Sequence, residues 1–403
     1  MKTVCLVSCV SAKTQERSPA SVLYTSPLFK KARAYATSRF DDWSILSAKY
    51  GLTSPDQVID PYDQTLKHMP KDARLAWARG VVRGLQSTFG TDTLLAFVAG
   101  TSYREYIIPE LTCYGYATRV PLEGLSIGMQ LSWLKQLEDE RQRLRHLDTF
   151  YELLRTLETS CAGKRILSNC TGQMEWPEMG VYFFFEPNEY RTSAVDQERV
   201  VMVGAHSVGA GAQSTLWNRL RTHRGRADGS GNHRDSIFRL HVGASLLNRS
   251  PKRTAVRTWG VGQSATQELR TAELFLENQV SATIGAMSLL WLAVADEPSP
   301  TSDRAYIQKN AIALISGPTG PLDLARPTWL GRFGDRKAIR KSGLWNVDYV
   351  DEPYDPRFLE TMAVYVDAMQ GKVRTPNRSI APTDWPTRRR PTDISQLGLF
   401  EGD

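Results

Sequence analysis

The feature that most constrains this chain is the alternation, along residues 1–160, of short unbroken apolar runs with segments of helical period. Val4 to Val10 reads as a buried strand, and Pro27 to Arg39 as a helix opened by Ser26 and Pro27. Trp43-Ser44-Ile45-Leu46 is a second strand. Lys71 to Phe89 carries apolar residues at helical spacing (Ala73, Trp77, Val81, Val82, Leu85), and Thr93 to Val98 is a third strand ending in Ala99-Gly100. Ser102 to Leu111 begins another helix, Tyr116 to Val120 supplies a fourth strand, and Met129 to Leu157 is a long charged helix or helical pair. Strand and helix in this order predict an α/β fold, a short doubly wound parallel sheet of four strands with right-handed crossovers. The expected boundaries are 1–158 for this domain, 159–370 for a following α+β domain and 371–403 for a tail.

In open sheets of this kind ligands bind beyond the carboxyl ends of the strands, where strand order reverses. Three loops would converge there: Ser8 to Lys13, Ser47 to Leu52 with its acidic continuation, and Gly100 to Arg104. Their side chains suit an anionic, ring-containing ligand. Lys13, Lys49 and Arg104 can meet phosphates, Tyr50 and Tyr103 offer stacking faces, and Asp60 or Asp63 can activate water or stabilise positive charge on a sugar. The plainer reading of Asp60 and Asp63, in the Pro-rich Ile59-Asp60-Pro61-Tyr62-Asp63, is turn formation. For Cys9, at a strand end, it is core packing.

Composition sets the partner class. With 403 residues, 41% apolar and 23% charged, the chain has ordinary globular character. No run approaches the roughly 20 apolar residues a membrane helix needs, and Met1-Lys2-Thr3 leads into a strand without a signal-peptide profile. A cytoplasmic, nucleoid-associated protein without a membrane partner is expected. The cysteines, Cys5, Cys9, Cys113, Cys161 and Cys170, are odd in number and include no CxxC pair, which argues against a disulfide framework or a four-cysteine zinc site. A net charge of +7 favours a polyanion such as nucleic acid. His206, His223, His233 and His241 match no zinc spacing. Gly204, Gly209 and Gly211 lack the Lys-Ser or Lys-Thr ending of a phosphate loop. Neither a metal site nor a cofactor is expected.

Two resemblances bear on function. Ser8-Cys9 with Lys13, the segment Ile45 to Leu52, and Pro61-Tyr62-Asp63 with Leu66 resemble an uncharacterised-domain family with a uracil-DNA glycosylase-like α/β fold, over roughly residues 1–135. Asp60-Pro61-Tyr62 is also similar to the Asp-Pro-Tyr of uracil-DNA glycosylases, whose Asp positions the attacking water, although Asp63 replaces the His that follows there. The resemblance implies a DNA glycosylase that removes a flipped, modified base from double-stranded DNA, in anti-phage defence or repair. Asp60, Asp63 and Lys49 would then be catalytic. Ser8, Cys9, Ser47, Tyr50, Tyr62 and Tyr103 would hold base and sugar, and Lys13 and Arg104 would hold phosphates.

Further along, Gly180 to Phe185, Val200 to Gly204, and Trp217-Asn218-Arg219-Leu220-Arg221-Thr222-His223 resemble the GIY-YIG nuclease fold, over roughly Met179 to Ser316. That resemblance implies a tyrosine and an arginine around the scissile phosphate, which Tyr182 and Arg219 match, and a metal-holding glutamate on a later helix. Met202 stands at the second tyrosine position, and Gln308, in the helix Tyr306 to Leu314, at the glutamate. A neutral amide is a poor ligand for a hard cation. The expectation is therefore a DNA-gripping domain without a metal, with Tyr182, Arg219, Arg221 and His223 at phosphates. Its basic surface would be Arg219, Arg221, His223, Arg224, Arg226, His233, Arg234 and Arg239, for which the plainer reading is a solvated face.

After Ser316 the chain is rich in Pro and Gly. Trp329 to Arg332 and Lys341 to Asn346 are expected to pack on the second domain, and Leu359 to Met369 to be helical. Beyond Gly371 a flexible basic tail is expected, containing Arg388, Arg389 and Arg390. Gln396, Leu397, Leu399 and Phe400 resemble the short motif by which bacterial proteins dock on the polymerase sliding clamp. Three readings follow: a glycosylase recruited to DNA, an endonuclease acting on modified DNA through the GIY-YIG-like part, and a non-catalytic reader of modified DNA.

Overall fold

The computed structural model describes residues 1–206, 215–250 and 256–385. The chain divides into two compact units, Met1–Gln142 and Arg143–Asp403.

In the first unit, Thr3–Ser8 is the central strand. It pairs in parallel with Asp42–Ser47 on one side and Leu94–Val98 on the other, and Ala117–Arg119 continues the parallel set. The four parallel strands thus run in the order second, first, third, fourth. A fifth strand, Gly51–Thr53, folds back antiparallel on Asp42–Ser47, with Ser47 opposite Gly51. Alternate side chains of the central strand enter opposite layers, as the two-residue period of a strand requires. Cys5 and Val7 pack with Phe29, Ala32 and Ile45, and Val4 and Leu6 pack with Val81, Leu85, Phe97 and Ile107. The helix Pro27–Arg39 closes the first layer; Ser26 caps it by accepting the Phe29 N–H at 3.2 Å. Lys71–Thr88 closes the second. All parallel strands therefore deliver their carboxyl ends to one edge.

The long charged segment is one helix, Ile127–Ser160. Leu134 belongs to the core of the first unit, whereas Leu147, Phe150, Tyr151 and Leu154 belong to that of the second.

The second unit is built on an antiparallel sheet. Gly180–Tyr190 lies between Glu198–Ala205 and Ser288–Ala293, and the short Arg165–Ile166 pairs with Ser288–Ala293. Val181 to Phe185 are all buried, because helices cover both faces. One of these is Asp303–Ser316, capped by Ser302, whose hydroxyl accepts the Ala305 N–H at 3.3 Å. The other end of this helix receives a buried cation. Arg143 donates to the carbonyls of Leu314 (2.9 Å), Ile315 (2.9 Å) and Gly320 (2.7 Å), where positive charge complements the helix dipole. Gly317 makes this possible, since a Cβ there would lie 2.1 Å from Arg143 Cζ.

Trp329 and Trp345 are buried in the second unit and both donate to Glu186 Oε2, at 2.9 and 3.3 Å. The helix expected near Leu359 is Phe358–Met369. Part of the expected tail is instead packed structure. Asp303 accepts the N–H groups of Ile380 (2.9 Å) and Ala381 (2.8 Å), and the buried Trp385 lies against Tyr306 with ring centroids 5.1 Å apart. Arg388, Arg389, Arg390 and the clamp-like Gln396, Leu397, Leu399 and Phe400 lie outside the described residues. No helix among the described residues is long and apolar enough to cross a membrane.

Candidate active site

The helix Leu216–Arg224 supplies most of the charged side chains of a cleft in the second unit. Thr215 caps it, accepting the Asn218 N–H at 3.4 Å, and Leu216, Leu220 and His223 form its buried stripe. Arg219, one turn before His223, is half-buried beside that stripe, and Arg221 is exposed. These residues line a cleft of about 750 Å³ with Tyr182, His206, Gln308 and Asp348.

Tyr182 crosses from the strand Gly180–Tyr190 over its partner Gly204. A Cβ at position 204 would lie 2.1 Å from Tyr182 Cζ, so only glycine lets the phenol lie flat across the neighbouring strand. The Tyr182 hydroxyl meets His223 Nε2 at 2.9 Å, and His223 Nδ1 meets Ser236 Oγ at 2.8 Å. Ser236 Oγ also accepts the Arg239 N–H at 3.2 Å as N-cap of the helix Ile237–Arg249. Burial, reinforced by the charges of Arg219 and Arg239, holds the His223 imidazole well below its ordinary pKa. The ring is therefore neutral near pH 7, with one donor and one acceptor nitrogen. With Nδ1–H donating to Ser236, Nε2 is left to accept the Tyr182 proton.

The basic cluster does not form a single surface. His223, His233 and Arg239 are buried and the paired side chain of Arg234 is 4% exposed, whereas Arg221 and Arg226 are exposed and Arg219 and Arg224 half-buried. Arg239 Nε donates to Glu277 Oε2 at 3.1 Å, and its Nη atoms reach the His223 carbonyl (3.0 Å) and Ser281 Oγ (2.9 Å). His233 Nδ1 lies 2.9 Å from Glu277 Oε1, and Arg234 pairs with Glu273 at 2.6 Å. Burial raises the Glu277 carboxyl, but the His233 hydrogen bond and the Arg239 charge outweigh it, so the group sits below its ordinary value. Buried charges persist when paired and hydrogen-bonded in this way. Their role is to hold the helices behind the cleft.

Gln308 lines the cleft from Asp303–Ser316. Its amide reaches the Val203 carbonyl at only 3.5 Å, while Asn346 clips the same residue more tightly, at 2.8 Å to the carbonyl and 3.0 Å from the N–H. Asp348 is, among the described residues, the one carboxylate lining the cleft. Among the described residues, no three His, Cys, Asp or Glu side chains are grouped to hold a metal. A hard divalent cation prefers several carboxylate oxygens, so this donor set does not fit the metal that the nuclease resemblance implies.

The candidates of the first unit gather at the carboxyl edge of its sheet. Tyr62 Oη meets Ser47 Oγ at 2.8 Å and Tyr24 Oη at 2.9 Å, and Cys9 Sγ meets Tyr103 Oη at 3.1 Å. Burial pushes the Tyr62 and Tyr103 phenols well up, so both stay protonated. Lys13 lies 4.3 Å from the Tyr62 ring centre and Lys49 5.1 Å from that of Tyr50. Ser8 is half-buried at the end of its strand. Arg104 turns to Glu123 at 3.0 Å. Asp60 and Asp63 are exposed; Asp60, 66% accessible, stands 3.9 Å from Arg17. Tyr24, Ser236 and Asp348 escape sequence reasoning. Ser236 alone carried a usable signal, a serine directly before an apolar helix.

A family model described as a GIY-YIG domain matches residues 141–372. A family of unknown function, DUF6884, matches residues 4–136. Among curated proteins, the "Uncharacterized protein YfjM" of Bacillus subtilis (strain 168) is 36% identical over 72 residues, covering 16% of this chain and 48% of that protein. The chain thus spans about half the length of the curated relative it matches. No solved structure matches. These matches overturn the expectation of a base-excising glycosylase: the domain with a known type of chemistry is a nuclease domain, and the N-terminal match is to a family without an assigned function. Neither match bears on a modified base or a sliding clamp.

Proposed function

The chain belongs to the GIY-YIG family, and on that premise we propose that it is a DNA endonuclease whose phosphodiester cleavage is run by Tyr182, His223 and Arg219. The observation that carries this reading is the chain of contacts Tyr182 Oη to His223 Nε2 (2.9 Å) and His223 Nδ1 to Ser236 Oγ (2.8 Å), opening on a cleft lined by Arg219.

Water attacks phosphorus as the bond to the leaving sugar oxygen breaks. The water proton passes to Tyr182 Oη while the tyrosine proton passes to His223 Nε2, so the neutral imidazole is the net acceptor. The proton then returns through Tyr182 to the leaving oxygen. Such positioned proton transfer contributes roughly 10²–10⁴ in rate. Arg219, with a planar guanidinium suited to phosphate oxygens, balances charge on the phosphoryl group. Arg221 lines this cleft and also a neighbouring one of about 880 Å³ with Arg224, Arg226 and Arg270. We assign that run of cations to the DNA backbone.

A second reading, a DNA-binding domain without cleavage, is favoured by the amide of Gln308 in place of a carboxylate. The two are separated by incubating purified protein with supercoiled DNA in magnesium buffer and scoring nicked and linear forms before and after alkali. Strand breaks without alkali support the endonuclease. Binding without breaks supports the second reading. That the first unit has a uracil-DNA glycosylase-like fold is likewise only a proposal, supported by its four parallel strands.

A further inference from the structure

We propose that the first unit carries a binding site of its own, at the carboxyl edge of its parallel strands, for a nucleoside phosphate held by Lys13 and Lys49 over the Tyr62 ring. The site is made wholly of residues of that unit, and nothing in the cleavage reaction uses it.

Two ammonium groups approach one aromatic ring. Lys13 Nζ lies 4.3 Å and Lys49 Nζ 5.9 Å from the Tyr62 ring centre. Among the described residues neither lysine has a carboxylate within ion-pair distance; Asp60, close by in sequence, faces Arg17 instead. A tyrosine ring attracts a cation, but a second cation brought to the same ring adds repulsion between like charges. An anion shared by the two lysines removes that repulsion, and a phosphate, with several acceptor oxygens, suits a pair of ammonium point charges.

The floor beneath them is rigid. The Tyr62 hydroxyl is fixed by Ser47 Oγ (2.8 Å) and Tyr24 Oη (2.9 Å), and Ser47 Oγ also accepts the Tyr50 N–H at 3.1 Å. Tyr50 stands edge-on to Tyr62, ring centroids 5.5 Å apart at 81°, and is half-buried, leaving part of its ring as a wall for a base. Ser47 ends the second parallel strand and Cys9 follows the first, so the group sits where open α/β sheets bind ligands. The shared chemistry is a phosphate attached to a nucleoside, whether free or within a nucleic-acid strand.

The test is calorimetric titration of the full chain bearing Tyr182→Phe, so that DNA stays intact, with thymidine, thymidine 5′-monophosphate and a 5′-phosphorylated oligothymidylate. The monophosphate should bind and thymidine should bind far more weakly. Lys13→Gln with Lys49→Gln should weaken the monophosphate roughly tenfold or more, while Lys→Arg at both positions restores binding. Equal affinity for monophosphate and oligonucleotide identifies a free nucleotide as the source, and tighter oligonucleotide binding that the double variant loses identifies a strand; both uphold the phosphate site. Absence of binding by both phosphate probes, thymidine binding as well as its monophosphate, or unchanged affinity in the double variant overturns it. Because no strand is cut in this assay, its outcome is independent of the endonuclease reading.

Discussion

At the scale of single residues, the proposed cleavage turns on how Tyr182 and His223 share one proton. A hydroxyl 2.9 Å from a neutral buried imidazole has an acceptor in place before substrate arrives. Because burial and neighbouring arginines depress the His223 pKa, the base remains unprotonated below the ordinary value of about 6.5. The acid limb of a pH–rate profile should accordingly fall below pH 6.5, and Ser236→Ala should move it. Stability follows the same sign. The unfolded chain takes up a proton on this histidine as pH drops through about 6.5 while the folded chain does not, so the contribution of His223 is present above that value and lost below it. Unfolding by urea across pH 5–8 tests this. Ser236→Ala also removes a helix cap and a partner of a buried imidazole, for which a loss of about 1–3 kcal/mol is expected. Tyr182 and Arg219 were legible in the sequence because they fall in a recognisable pattern. The burial of Arg234 and Arg239 was not: their partners Glu273 and Glu277 lie far along the chain, spaced i, i+4 like an exposed helix face.

At the scale of elements, the cleft depends on the Tyr182 ring lying across the neighbouring strand at Gly204, where a side chain would collide with it. Gly204→Ala would place a Cβ 2.1 Å from the Tyr182 ring, closer than any side chain can lie, so the phenol must move. Overpacking of this kind costs about 1–3 kcal/mol, and because the ring must shift away from His223, cleavage should fall by more than folding does. Thermal unfolding and rate measured on the same preparation separate the two effects. Unbroken apolar strands such as Thr3–Ser8 and helices with clear caps such as Pro27–Arg39 were legible from period and composition. The short strands Gly51–Thr53 and Arg165–Ile166 were not, since two or three residues carry no period. Trp385 was not either, because its packing on Tyr306 is a long-range contact inside a segment of low apolar content.

At the scale of the whole molecule, a charge of +7 matters less than where cations remain unpaired. Four members of the basic cluster are spent inside the fold; of the other four, Arg219 and Arg221 line one cleft, and Arg221, Arg224 and Arg226, joined by Arg270 from outside the cluster, line the adjoining one. Each arginine that contacts a phosphate contributes about one counterion to the salt dependence of binding. Arg221→Gln and Arg226→Gln should each flatten that dependence by about one, equally for all sequences, as read by fluorescence anisotropy of a labelled duplex. The chain therefore joins a nuclease domain to a unit from a family of unknown function, and the two can be tested separately by variants in the intact chain. The measurement that bears most directly on the nuclease is the single-turnover cleavage rate of supercoiled DNA in magnesium buffer by the unaltered protein and by Tyr182→Phe, with duplex binding measured in parallel. Cleavage that falls roughly 100-fold or more at unchanged affinity is the predicted result; equal rates for the two proteins would contradict it.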